Sequence, residues 1–558
     1  MNKIKSTKGI TLIALVITIV VLLILAGITM ATLIGDNGLI NKAKDAKIKT
    51  DIASIKEEIR TDILGKQTEN QGNISDDNLK EILEKYGTLS EEEKLTDKTL
   101  TTKKGNYEIK VSDIFNGATT NDETKNPTFT TVANKPDING FDKNNTYYVS
   151  WDLSNSPYVI DDTTLISGTA PSNWYDYTEG VNHWANIKTT GGGNDCYWVW
   201  IPRYAYCITT GYQSNIAGTI DIKFLQGTTN TPIDGSNITI SNSSGSGNWN
   251  VHPAFWFDKN NNGVEDEGEQ LTGIWVAKYE ASSSSMAVVE NPTADQLETD
   301  GGSDVDTDLK IRVRPNVTSW RGIIPNNMFT VCRNLTTSGN SLENTSNIDS
   351  HMMKNTEWGA VAYLSRSRYG KNGEVWNNPY YNNTTNFSTI TGLCGNASNG
   401  KDNSTADITQ TCKYNEAGGG NASTTGNVYG VYDMAGGTWE YTAAIYKYGT
   451  SNENRSELCL DSNAKYVDQY TETIGTRLTY YGNINKYGDA IYETSSSGDS
   501  DTGSWDFSYS HFPASSDPAF VRGGHAATAS NSGVFSSSYA TDGVDIVYGF
   551  RPVVLSSI

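Results

Sequence analysis

One stretch of this 558-residue chain matches a chemical template position by position: Asp258-Lys-Asn260-Asn-Asn262-Gly263-Val264-Glu-Asp266-Glu-Gly-Glu269. It fits the twelve-residue calcium loop D-x-[DN]-x-[DN]-G-x5-E. Hard divalent cations take oxygen ligands, and this order supplies them. Asp258, Asn260 and Asn262 offer side-chain oxygens, and Val264 offers its carbonyl. Asp266 serves directly or through water, and Glu269 can bind with both oxygens. The flanks HPAFWF and GIWVAKYE read as strands, so the expectation is a calcium-bound hairpin that stiffens an insertion, with calcium as the cofactor. Other chemistry is sparse. Five histidines form no HExxH or other metal pair at helical spacing, and the chain has no P-loop and no CxxC. The six cysteines (Cys196, Cys207, Cys332, Cys394, Cys412 and Cys459) allow 15 connectivities, among which Cys196–Cys207 and Cys394–Cys412 are candidate pairs.

Composition narrows the setting. Lys and Arg number 43 against 64 Asp and Glu, a formal charge of -21, which excludes nucleic acid as a partner because a polyanion needs a basic stripe. Charged residues make up only 19%, alongside 52 Gly, 31 Tyr and 13 Trp, as suits a loop-rich extracellular domain.

The front of the chain reads as an address. No charged residue falls between Ile10 and Gly35, and a helix over this run would be about 39 Å long, enough to span a bilayer core with tilt. Lys3, Lys5 and Lys8 precede it, which places the short N-terminus in the cytoplasm and the remainder outside. Lys8-Gly9 directly before Ile10-Thr11-Leu12-Ile13 resembles a type IV prepilin leader. That resemblance implies cleavage between the processing residues Gly9 and Ile10 by a prepilin peptidase. It also implies anchorage in the cytoplasmic membrane and, later, packing with other pilin subunits in a filament. Ala14 stands where such pilins usually carry Glu, a departure that a minor or tip subunit tolerates better than a repeated one.

Residues 36–117 read as a small α+β stem. Ile48, Ile52, Ile55, Ile59 and Ile63 recur at helical spacing, a second helix is expected over Asp76–Tyr86, and Tyr107, Ile109 and Val111 alternate as a strand. Ser90-x-x-Glu93 has the form of a capping box. Residues 118–140 lack periodicity and read as a linker.

Beyond the linker, short apolar bursts punctuate long polar connections. In order they are YWVWIPRYAY, GIWVAKYEAS, NTEWGAVAYLSRSRYG, GVYDMAGGTWEYT, VRGGHAA and YGFRPVV. Together they resemble the formylglycine-generating-enzyme family and its non-catalytic relatives. The diagnostic blocks are Gly436-Gly437-Thr438-Trp439-Glu440, Arg522-Gly523-Gly524 and Gly549-Phe550-Arg551, with Thr356-Glu357-Trp358 upstream. The resemblance covers about 195–558, with 140–195 either an early part of it or a lead-in. The expected fold class is α+β: a pilin-type long N-terminal helix, a small α+β stem, and a large irregular C-type-lectin-like domain over 141–558. Catalytic members of the family use a pair of cysteines between the second and third blocks. The interval from Arg522 to Arg551 has none, so no enzyme is expected.

That interval reads instead as a presentation surface, rich in the Tyr, Ser and Asn that serve antibody loops. The candidate ligand contacts are His525, Thr528, Ser530, Asn531, Phe535, Ser537, Tyr539 and Asp542. In some bacterial and phage relatives this stretch is diversified by a retroelement. The expectation for the whole chain is a surface-displayed minor or tip pilin-like adhesin whose partner is a protein or glycan ligand. The alternative is a structural pseudopilin of a secretion or DNA-uptake apparatus, and behind it an enzyme of a chemistry the sequence does not show.

Overall fold

The computed structural model describes Lys47, Ile52, Ile55, Glu58, Ile59 and Asp62, then residues 76–91, 98–111 and 132–558, apart from 285–308, 383–388, 399, 447–454, 471–485, 515 and 541–544. The chain divides into two units, 1–128 and 129–558. Gly9, Ile10 and the apolar run 10–35 lie outside the described residues, as do Ile48 and Ile63.

In the first unit, the helix Asp76–Tyr86 leads into a three-stranded antiparallel sheet of Gly87–Leu89, Thr99–Thr102 and Glu108–Lys110. Ile55 and Ile59 are helical and buried with Leu79, Leu83, Leu100, Ile109 and Val111, so the helical stripe faces an apolar core. Asp62 accepts hydrogen bonds from the Tyr86 hydroxyl at 2.8 Å and Lys85 Nζ at 2.5 Å. Glu93 of the expected capping box lies outside the described residues, while Ser90 pairs across the sheet. The Ser90 hydroxyl accepts from Thr99 N at 2.7 Å and closes the sheet's first hairpin.

The second unit is built on an antiparallel sheet in the order Ile348–Met352, Pro552–Ser556, Gly273–Ala277, Cys196–Pro202, Asn186–Thr189, Thr146–Asp152 and Val159–Asp161. Its central strands are unbroken apolar runs because both of their faces are covered. Trp198, Val199, Trp200 and Ile201 are all fully buried, and Trp200 lies opposite Trp275 in register. The last strand of the chain inserts between 348–352 and 273–277, which makes the C-terminus part of the core.

A second sheet carries an open recess at its end. Its order is Asp468–Tyr470, Trp439–Tyr446, Ala519–Arg522, Ser537–Ala540, Ser508–His511 and Asp499–Ser504, with Tyr548–Phe550 pairing parallel to Trp439–Tyr446. The helix Asn355–Arg366 is tied to the loop ahead of Ser537–Ala540 by Trp358 Nε1, which donates to Val534 O at 2.7 Å. The Gly436-Gly437 turn that launches Trp439–Tyr446 requires glycine twice, with φ of 75° and 68°. A Cβ would stand 2.3 Å from Asn378 O at the first position and 2.5 Å from Glu280 Oε1 at the second.

Two expectations are corrected. Among the described residues the fold is strand-dominated, 29% strand against 19% helix, in place of the expected fold led by a long helix. The physical reason is visible in the second unit, where β-branched and aromatic bursts separated by Gly and Asn turns favour short strands. Among the described residues no helix is long and apolar enough to cross a membrane, against the expected pilin-type transmembrane helix. In addition, residues 132–140 of the expected linker pack into the second unit. Asn134 Nδ2 donates to Gly227 O and Thr272 O at 3.0 and 2.9 Å, and Trp275 Nε1 donates to Asp137 O at 2.7 Å.

Candidate functional site

The second sheet ends in an open recess of 330 Å³ lined by Trp439, Asp501, Tyr509, His511, His525, Thr528, Ser538 and Tyr539. Strand alternation places Tyr509 and His511 on one face, and the tight glycine turn delivers Trp439 beside them. Neighbouring rings stand at steep angles to one another, as panels. Trp439 and Tyr509 are 5.7 Å apart at 55°, Trp439 and His525 6.5 Å at 67°, Tyr509 and His511 5.5 Å at 48°, and His511 and Tyr539 6.2 Å at 76°.

At the rim, His511 is held between two carboxylates, with Nδ1 2.9 Å from Asp499 and Nε2 2.8 Å from Asp501. Because the two nitrogens face different acids, the trio cannot close on a single ion. Among the described residues no group of three or more His, Cys, Asp or Glu is arranged to hold a metal. His525 is a neutral imidazole. Burial lowers its pKa to about 4, and Nδ1 accepts from Ala527 N at 3.2 Å, so the ring proton sits on Nε2. The turn that carries it is closed by Thr528 Oγ1, which donates to His525 O at 2.7 Å. Ala529 takes a left-handed φ of 48°, and its carbonyl accepts from Asn377 Nδ2 at 2.6 Å.

Of the sequence candidates, the structure brings His525, Thr528 and Tyr539 together in the recess. Ser530 is exposed and Asn531 half-buried on the same turn, and neither lines it. Phe535 is a core residue, 4% exposed, with its ring 5.0 Å from Trp505 and 6.5 Å from Tyr363. Ser537 is buried in its strand, and Asp542 lies outside the described residues. Five lining residues are absent from the sequence candidates: Trp439, Asp501, Tyr509, His511 and Ser538. The alternation Ser508-Tyr509-Ser510-His511 was the available signal.

The loop 258–269 folds as a closed turn. Asp258 accepts from Asn262 N at 2.9 Å and Gly263 N at 2.7 Å, while Asn262 Oδ1 accepts from Val264 N at 2.7 Å. Glu269, 3% exposed, accepts from Lys259 N, Trp256 Nε1 and Asp266 N at 2.9–3.0 Å. Burial alone would raise its pKa, but these N–H donors hold it below the usual range. Asp266 Oδ2 accepts the amides of Asn260 and Asn262 at 2.7 and 2.8 Å. The carboxylates and amides of the loop are thus engaged with one another and with its own N–H groups, and Asn261 docks the turn onto Asp461 O at 2.8 Å.

The chain matches no model of a known protein family and no curated protein.

Proposed function

We propose that the second unit is a ligand-binding module and that its site is the ring-panelled recess on the second sheet. The observation that carries this reading is the recess itself: four aromatic or imidazole walls and one tryptophan around an open volume, with Thr528, Ser538 and Asp501 as polar contacts. Amphipathic rings offer contact area at low entropic cost, and hydroxyls adapt their hydrogen bonds. Among the described residues no lysine or arginine lines the recess, while a carboxylate does, which favours a ligand presenting a cationic or flat CH-rich face over an anion. The partner is thus a basic protein side chain or a glycan. The absence of cysteine between Arg522 and Arg551 favours binding over the oxidative chemistry of the enzymes that the sequence blocks resemble. The reading is tested by binding of the full chain to glycan and basic-peptide panels. Tyr539→Ala and Thr528→Ala are expected to weaken binding about tenfold each while leaving the melting temperature within a few degrees.

Calcium at 258–269 is the second part of the proposal. Its role is to rigidify the turn that Asn261 docks against 461–465. Glu269→Gln removes the expected bidentate ligand and should abolish calcium-dependent stabilisation.

A further inference from the structure

Two cysteines face each other across a hairpin at the edge of the second unit. Leu393–Gly395 pairs antiparallel with Thr411–Lys413, and Cys394 is directly opposite Cys412. Directly opposed residues of an antiparallel pair send their side chains to one face, with Cα atoms about 4.5 or about 5.5 Å apart according to their place in the ladder. Both separations fall inside the roughly 4.4–6.8 Å range of disulfides. None of the other four cysteines is opposed to a cysteine: Cys196 lies across from Thr189 and Val313, and Cys207 across from Asp221. Cys332 and Cys459 sit in separate helices, Pro325–Arg333 and Ser456–Cys459.

We propose that Cys394 and Cys412 form a cross-strand disulfide that staples this hairpin. The oxidant is a dithiol oxidoreductase in its disulfide form. Both are free thiols in this structure, Cys412 half-buried and Cys394 fully buried, so Cys412 reacts first. Its thiolate attacks the oxidant's disulfide, forming a mixed disulfide and releasing one oxidant sulfur as a thiol. Cys394 then loses its proton, its sulfur attacks Cys412 Sγ, and the second oxidant sulfur departs as a thiol. Two S–H bonds of this chain are replaced by one S–S bond, and two electrons and two protons finish on the oxidant. Burial pushes the Cys394 thiol up to about 12, which suits a resolving partner rather than the group that opens the exchange.

The hairpin reaches the recess through one side chain. Asn377 Nδ2 donates to Lys401 O at 2.7 Å, in the hairpin's connecting loop, and to Ala529 O at 2.6 Å, in the recess turn. Lys401 is itself paired with Glu374. The staple therefore fixes the base of a loop that braces the His525–Asn531 turn, whether or not the recess binds a ligand.

The test is a thiol count on the full chain. After equilibration with an oxidised thioredoxin-type dithiol protein, the chain is denatured, alkylated and digested. The expected result is two fewer alkylated cysteines than the six of the fully reduced chain, with a peptide linking Cys394 to Cys412 that a reductant separates. Cys394→Ser and Cys412→Ser should each lose that linked peptide and leave the remaining cysteine alkylated. Six alkylated cysteines after oxidation, or a linkage through any other cysteine, overturns the proposal.

Discussion

Glu440 and Arg551 are each 1% exposed, and the guanidinium bonds both carboxylate oxygens, Nε to Oε2 at 2.7 Å and NH2 to Oε1. NH2 also donates to Tyr432 O at 3.0 Å and NH1 to Ala277 O at 3.1 Å, so one side chain joins the two sheets. Breaking such a pair leaves an uncompensated buried charge and costs about 3–5 kcal/mol. Arg551→Ala is expected to lose that much in urea unfolding. Phe535→Ala should cost about 3–5 kcal/mol as well, because its ring fills core rather than surface. A binding defect in that variant would report unfolding.

Glu493 gives a pH signature. It is buried, accepting from the Tyr206 and Tyr363 hydroxyls at 2.7 and 2.9 Å and from Gly488 N at 2.8 Å, while Oε1 has no partner. Burial raises its pKa to about 7. A carboxyl whose folded pKa is raised contributes stability that is complete below its unfolded value and is lost as pH rises through the folded one. The window is therefore about pH 4 to 7. Glu440, raised to about 7 by burial, acts in the same direction. His351 does too, because Glu357 and Asp349 raise its pKa against the opposing effect of burial. His252 opposes them: burial lowers its pKa to about 3, so its contribution is present above the ordinary histidine range and lost as pH falls below it. Glu493→Gln removes one acid-side contribution. Its stability relative to the wild type is expected to rise by about 3 kcal/mol between pH 4.5 and 7.5, read from urea midpoints at each pH.

At the scale of elements, legibility followed locality. The twelve residues 258–269 form one turn closed by its own hydrogen bonds, as a run of Asp, Asn and Gly favours locally. Asp76–Tyr86 is a helix over the expected span, since its apolar period and polar flanks decide it locally. The recess was only partly legible. His525 and Thr528 share a short turn, but Asp501, Tyr509 and His511 come from two other strands, brought alongside by pairing of 499–504 with 508–511 and of 508–511 with 537–540. Such partners have no mark in linear spacing. Phe535 was misread for the converse reason: one aromatic in a polar stretch looks exposed until Trp505 and Tyr363 arrive from elsewhere in the chain. For the loop 258–269, calcium at one hundred times its dissociation constant is expected to stabilise by about 2.7 kcal/mol, read as a calcium-dependent rise in melting temperature that Glu269→Gln lacks.

At the scale of the whole molecule, the second unit is a strand-rich scaffold whose two sheets share buried charge at Arg551 and whose second sheet ends in the ring-panelled recess. A rigid frame beneath an open face is the arrangement that the proposed ligand-binding role requires. The formal charge of -21 adds an attraction for cationic partners that weakens with salt. Raising ionic strength from 50 to 500 mM should therefore slow association more than it speeds dissociation.

The most direct measurement is binding of the full chain and of its Thr528→Ala, Tyr539→Ala double variant to immobilised glycans and basic peptides, with circular dichroism melts of both. The expected result is a ligand that the wild type holds and the double variant loses by about a hundredfold, with the two melting temperatures within a few degrees of each other. Equal binding by the two folded proteins would contradict it, and so would a wild type that binds nothing on panels spanning both ligand classes.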